Sequence, residues 1–383
     1  MTAPRPFLLS ATMLAMSAWM LAACGPKIPD TIKIGVAQPL SGSSAARGKD
    51  VLDGVKLAVA ELNAAGYKID GKPVLLEVVA MDDKADVNEA KKVAQALVEQ
   101  KVTAVIGHLS SDVTEAVVPI YKSGNVPQLF TSSAAELTKL GGGNAFRIVA
   151  NDVLQARAIA SYLAETLKAK KVVILHEDSA FGTPMAKDVA VALAKLDAKV
   201  EGVEAVSSKS LDFAAFVAKL KAAPPDALVA AVRDHQLLPL LAQMKAAGLA
   251  DVAVMATSVA KTQKLVTAPA DVKALYATSG SIEPREFSTG AAFLTKFRAA
   301  YKADPVWAAH YAYDATYVLA DALRRADSLE PATVRAKLTT IDSNAPITGM
   351  MRFGADGEQR YGAIGVYEKR NGQWEPLIRS DRW

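Results

Sequence analysis

The stretch Val102–Thr138, VTAVIGHLSSDVTEAVVPIYKSGNVPQLFTSSAAELT, decides how the rest of the chain is read. Its first apolar run, Val102–Ile106, is long enough for a buried strand and too short for a helix. Gly107 stops the run, and His108-Leu109-Ser110-Ser111-Asp112 follows. From there Val113, Ala116, Val117 and Ile120 recur at helical spacing as far as Lys122. Ser110, Ser111 or Asp112 caps this helix, and the backbone N–H groups of its first turn would face an anion. After Ser123-Gly124-Asn125 a second strand, Val126–Phe130, runs into Thr131-Ser132-Ser133 and a further helix start at Ala134-Ala135-Glu136-Leu137. In a parallel sheet both strand-to-helix junctions lie at the carboxyl ends of the strands, where such sheets bind ligands. Each junction is loaded with hydroxyls. They either cap helices alone or, with neighbouring N–H groups, offer donors to a small carboxylate.

The same alternation continues on both sides. Upstream, strand Thr31–Ala37 leads through the Gly- and Ser-rich loop Pro39–Gly48 to a helix over Asp50–Ala65, which Gly66 ends. Strand Val74–Ala80 and the acidic loop Met81–Asp86 precede a helix over Val87–Gln100. Downstream come a connecting strand Arg147–Ala150, a helix capped by Asn151-Asp152, and strands at Lys171–Leu175, Lys199–Val206, Ala227–Val232 and Val252–Ala256, separated by helices. Strands alternating with helices predict an α/β fold with parallel sheets. About 350 residues past the leader, half of them apolar, imply two domains, and the break near Arg147–Asp152 is a candidate boundary. Long helices, Ala291–Ala303 and Ala309–Arg325, follow Ile282-Glu283-Pro284. The end of the chain, from Gly349, changes to short antiparallel strands with a tight Asn371-Gly372 hairpin.

Composition narrows the function classes. The chain opens with a charged tip holding Arg5, then an apolar run Phe7–Leu21 of signal-peptide length, then Leu21-Ala22-Ala23-Cys24. That arrangement resembles the bacterial lipoprotein box, in which the cysteine is lipidated and becomes the mature first residue. Residues 1–23 then form the signal peptide and 24–30 a tether that holds the protein on a membrane without spanning it. Cys24 is the single cysteine, so no internal disulfide forms. The net charge is +4, and removing the leader with Arg5 leaves +3; the lysines are interspersed with acids, which describes a solvated surface and no nucleic-acid stripe. Catalysis finds little support. There is no Gly-x-Ser-x-Gly elbow, phosphate loop or dinucleotide fingerprint, and the histidines (His108, His176, His235, His310) never pair at metal-ligand spacing. His176-Glu177-Asp178 reads as a helix-capping acidic loop. No cofactor is expected.

The order of these signals is similar to the periplasmic leucine/isoleucine/valine-binding protein family, the binding subunits of ABC importers. The residues that carry the resemblance are Ile34-Gly35-Val36 with Pro39-Leu40-Ser41-Gly42, Gly54–Val59, Asp82-Asp83, Val105–Ser111, Glu136-Leu137-Thr138, Phe181-Gly182, Ala246–Leu249, Tyr311–Asp314 and Phe353–Gly357. The resemblance implies a type I periplasmic binding fold: two Rossmann-like lobes with parallel-rich sheets, joined by three hinge crossovers and closing on a ligand. The crossovers are expected near Ile148–Asp152, Thr278–Pro284 and Gly349–Arg352. Lobe 1 is then 31–149 plus 283–349, and lobe 2 is 150–282 plus 350–383. It further implies a monomer in the cell envelope, lipid-anchored through Cys24, that delivers a small amino acid or related carboxylate to ABC permease subunits.

Carried over by position, the family's carboxylate clamp falls on Ser111 and Ser133. Thr131 offers its carbonyl to the ligand ammonium, Leu109 and Ser110 flank it, and Phe181 stands where the family has an aromatic from lobe 2. The departures concern the other end of the ligand. Where the leucine binders carry an acid this chain has Thr257-Ser258, and Arg233 and Arg47 replace two tyrosines. Asp234 either replaces the missing acid, or Arg47 and Arg233 meet a second ligand carboxylate; alternatively Arg47 is solvent-exposed and Arg233 pairs with Asp234. An aromatic acid, a dicarboxylate or a sensing role are the alternatives to amino-acid import.

Overall fold

The computed structural model of the chain describes residues 28–382 except 270, 271, 327 and 341. The expected leader and Cys24 lie outside the described residues. Among the described residues no helix is long and apolar enough to cross a membrane.

Two sheets organise the chain. The first has five parallel strands in the spatial order Leu75–Asp82, Thr31–Gln38, Ala104–Gly107, Gln128–Phe130, Ala145–Arg147. Its central strands are buried on both faces, which is why all four residues of Ala104–Gly107 are inside and no polar alternation marks them. Side chains alternate between the faces. Ile32, Ile34 and Val36 pack with Val51 and Val55 of helix Ala45–Ala64 and with Ala312 and Leu319 of helix Ala309–Ala326. Ala37 and Val105 pack instead with Val93 and Leu97 of helix Val87–Glu99 and with Val113 and Val117 of helix Ser111–Ser123. The strand order reverses between Thr31–Gln38 and Ala104–Gly107, so the crevice of a doubly wound sheet opens above these two strand ends.

The second sheet runs Gln373–Arg379, Gly365–Arg370, Leu275–Ser279, Ala253–Ala256, Ala227–Ala231, Lys171–Glu177, Lys199–Val206. Its last five strands are parallel, and the two carboxyl-terminal ones form the antiparallel hairpin expected at Asn371-Gly372. Both turn residues have positive φ, the conformation such a turn needs. Leu275–Ser279, which the sequence reading ran into a crossover, is a fully buried strand of this sheet.

Three chain crossings join the lobes side by side. Ala150 donates its N–H to Gly280 O (3.4 Å), and a Cβ on Gly362 would sit 3.3 Å from Ala150 Cα. Gly280 is equally tight, since its Cβ would lie 2.8 Å from Ala150 O. The third crossing therefore passes Gly362, later than the expected Gly349–Arg352. Gly349–Met351 pairs with Ser343–Ala345, and Met351 and Phe353 complete the core of the first lobe. Only after the turn that brings Gly357 O to Arg147 N–H (2.9 Å) does the chain leave for the second sheet.

Candidate functional site

The carboxyl edges of the two sheets face one another, and bonds cross between them. Ala180 of the second lobe donates its N–H to Asp112 Oδ1 of the first at 3.0 Å. Arg47, from the first turn of helix Ala45–Ala64, donates through Nη2 to Ser258 O and Lys261 O of the second lobe, both at 3.0 Å.

On the first lobe the two hydroxyl-rich junctions form one surface. His108 is fully buried, with Nδ1 2.6 Å from Asp83 Oδ2 and Nε2 3.0 Å from Tyr121 OH. It is a pillar under the junction and has no serine at its ring. Ser132 Oγ donates to His108 O (3.1 Å) and Ser110 O (3.2 Å) and meets Thr114 Oγ1, which fastens the second junction to the first. Thr131 Oγ1 reaches His108 O at 3.4 Å. Ser111 Oγ accepts the N–H of Ala134 at 3.3 Å, so Ser111 and Ser133 are neighbours. Leu109, Ser110 and Ser133 are half-buried beside them. Ser110 is the N-cap by backbone conformation but makes no side-chain cap bond, which leaves the first-turn N–H groups of helix Ser111–Ser123 open.

Two groups stiffen this surface. Asp152, the first residue of helix Asp152–Ser161, donates its N–H to Ser133 O at 2.9 Å. Burial raises the Asp152 carboxyl to about 6, against the opposing pull of Arg147 and of Gln155, which donates to it at 2.9 Å. Arg147 is fully buried and donates to Ser132 O, to Ala134 O (2.7 Å) and to Glu358, framing Ser133 from behind.

The second lobe corrects several expectations. Phe181 is 3% exposed and packs into the lobe's own core with Met185 and Ile174, so its ring supports the cleft wall from inside. Arg47 is not solvent-exposed: it is held by the two carbonyls, and its guanidinium lies 5.2 Å from the centre of the Trp307 ring. Burial lowers it to about 10, with Asp234 pulling the other way. Arg233 does not pair with Asp234; its Nη2 is 3.4 Å from Glu177 Oε1, while Asp234 accepts from Thr262 Oγ1 at 2.9 Å. Thr257 is fully buried with an unpartnered hydroxyl, and Ser258 N–H donates to Gln155 Oε1 (2.8 Å).

Some residues of this cleft escaped the sequence reading. Asp112 serves as a bridge between lobes as well as a helix-start acid. Glu177, which the sequence places in a capping loop, is 1% exposed, and its Oε2 has no hydrogen-bond partner among the described residues. Trp307, which no sequence motif marks, precedes helix Ala309–Ala326, whose amino end is tied to the first helix through Asp50. That carboxyl accepts the N–H groups of Val306, Trp307, Ala308 and Ala309 (2.7–3.1 Å), and burial still raises it to about 6. An arginine inside the apolar run Ala145–Val149 was the one available signal for Arg147. Among the described residues no group of three or more His, Cys, Asp or Glu could hold a metal ion.

Comparison with known proteins gives this geometry a relative set. The family model described as periplasmic binding protein matches residues 31–372. An amino acid binding protein of Pseudomonas aeruginosa is 29% identical over 341 residues, 88% of this chain and 90% of its own. The solved substrate-binding protein LivJ of a Streptococcus pneumoniae branched-chain amino acid transporter, in complex with isoleucine, is 30% identical and superposes with a TM-score of 0.77 over 91% of this chain and 99% of its own. The leucine-binding protein LivK of Thermotoga maritima shares the fold, with a TM-score of 0.82 at 23% identity over 92% of this chain and 100% of its own. The family is made up of solute-binding proteins, not enzymes. With two Rossmann-like lobes, three crossings and a match over residues 31–372, the chain belongs to the periplasmic binding protein family.

Proposed function

We propose that this chain is the substrate-binding subunit of an ABC importer, tethered to the membrane through a lipid on Cys24, and that it takes a small branched-chain or other neutral amino acid between its lobes by hinge closure. The observation that carries the reading is the single donor surface made by Ser111, the open helix start and the Ser133 loop, set opposite a second lobe already bonded to it. A carboxylate at the helix start gains charge-assisted bonds that water matches poorly once the lobes shut. Thr131 O is the expected acceptor for the ammonium. Closure requires contacts present only in the closed form.

Replacing Ser111 and Ser133 together by Ala should weaken amino-acid binding by about 3–6 kcal/mol, each bond to a charged group being worth ~1.5–3. Calorimetric titration of the double variant checks it; an affinity equal to the wild type removes the clamp. A thermal-shift screen with amino acids, dicarboxylates and benzoate-like acids tests the ligand class. Stabilisation by acids lacking an amine, and by no amino acid, would replace amino-acid import by the aromatic-acid or dicarboxylate reading.

A further inference from the structure

We propose that the part of the cleft where Arg47, Arg233, Asp234 and Glu177 come together is built for a ligand side chain that is neutral and both donates and accepts hydrogen bonds, a carboxamide foremost, and not for a branched hydrocarbon. The inference rests on the amino-acid reading above and concerns the same site.

Four charged side chains meet there from the two lobes. Arg47 donates to Lys261 O, one residue before Thr262, whose hydroxyl bonds Asp234, and Arg233, which precedes Asp234, reaches Glu177. A leucine-type pocket needs apolar walls; an isobutyl group placed here would strip water from guanidinium and carboxylate groups and return no bond to them. The charges also balance, two guanidinium groups against two carboxylates. Asp50, on the same helix as Arg47, is committed to the backbone N–H groups of 306–309, and Lys261 is paired with Glu283 at 2.6 Å. A second ligand charge would therefore stand uncompensated in a buried place.

Bonds of both kinds remain unmade. Among the described residues Glu177 Oε2 is a buried acceptor without a donor, and Trp307 Nε1 is a buried donor without an acceptor. Both hydrogen bonds of Arg47 use Nη2, which leaves Nε and Nη1 to donate elsewhere. Buried groups of this kind are nearly always satisfied in the working state of a protein. A carboxamide supplies the missing half of each: its oxygen accepts from the guanidinium or the indole, and its NH2 donates to Glu177. A side-chain carboxylate supplies only acceptors and meets Glu177 and Asp234 with like charge.

Leucine, asparagine and aspartate share one side-chain outline and differ in chemistry alone, so they separate the cases. Calorimetric titration of the wild-type protein with these three, and with glutamine as the longer amide, should show the preferred amide bound about tenfold or more tighter than both leucine and aspartate. In Glu177→Leu the ratio of amide to leucine affinity should collapse by at least a similar factor; being a ratio within one protein, it is insensitive to partial loss of folded material. Leucine bound as tightly as the amides, or aspartate bound tightest, overturns the proposal and leaves amino-acid binding standing. No amino acid bound at all overturns the amino-acid reading itself, and the side-chain assignment with it.

Discussion

Arg147 is the most heavily bonded side chain behind the candidate site, and its cost shows what the site needs. A fully buried guanidinium is expensive unless each of its faces is met. Here Ser132 O, Ala134 O and both oxygens of Glu358 meet it, and Glu358 in turn accepts from Thr138 (2.9 Å) and Asn151 (3.0 Å). The carbonyls on either side of Ser133 are thus held from the rear, so the loop can present its hydroxyl and N–H without moving. Arg147→Met should destabilise the protein by about 3 kcal/mol, because it leaves the Glu358 carboxylate without its cation and two buried carbonyls without their donor. Removing both charges, as Arg147→Met with Glu358→Gln, should recover part of that loss. Urea unfolding of the two variants reads the difference; a single variant as stable as wild type would show the ion pair to be idle.

Helix Ala309–Ala326 begins at the crossing, where His310 Nε2 bonds Ile282 O at 2.7 Å. The ring packs against Phe287, Phe293 and Tyr311, and Nδ1 has no partner. Burial lowers His310 from 6.5 to about 4. The folded protein therefore binds fewer protons than the unfolded chain between those values, and the histidine's contribution falls as pH drops through that window, by about 3 kcal/mol in full. Asp50, Asp152 and Asp314 are shifted oppositely, raised to about 6 by burial, so their contribution rises as pH falls from 6 towards 3.8. The wild-type curve mixes both; His310→Gln isolates one. It should be less stable than wild type at pH 7.5, with the gap closing steadily by pH 4.5 in urea unfolding, whereas a constant gap would refute the assignment. This element was legible in the sequence because Tyr311–Asp314 and the helical apolar period mark it. Strand Leu275–Ser279 was not, since Leu-Tyr-Ala-Thr-Ser lacks an apolar run and passes directly into Gly280-Ser281. The third crossing was misplaced for a related reason. Met350–Phe353 has the look of a strand starting a new sheet, and only packing against Phe146 reveals that Phe353 finishes the old one. At the site, hydroxyl junctions could be read because both lie in one βαβ unit. Arg233 with Glu177, or Arg47 with the carbonyls at 258 and 261, depends on how the lobes meet, and local pattern holds no trace of that.

Taken whole, the molecule is two sheets with separate cores, joined at Ala150, Gly280 and Gly362 and bonded across the cleft by Arg47 and Asp112. The arrangement has an energetic consequence. Bonds made only between the lobes stabilise the shut form relative to the open form and leave the folding of each lobe untouched. A carboxylate accepting a backbone N–H and a guanidinium donating to two carbonyls contribute about 1.5–3 kcal/mol each when water is excluded. Together they shift the balance between open and shut by about two to four powers of ten before any ligand enters. Apparent affinity scales with the fraction of molecules in the competent form, so these groups tune binding even where they touch no ligand. The paired variant Arg47→Met with Asp112→Ala should keep its unfolding midpoint within a degree or two of wild type, yet show a larger radius of gyration without ligand and bind about tenfold or more weakly. Small-angle scattering with and without the best amino acid from the screen measures both ends of the motion. If the ligand-free variant scatters identically to wild type, the cross-cleft bonds do not set the resting state, and ligand contacts alone must close the lobes.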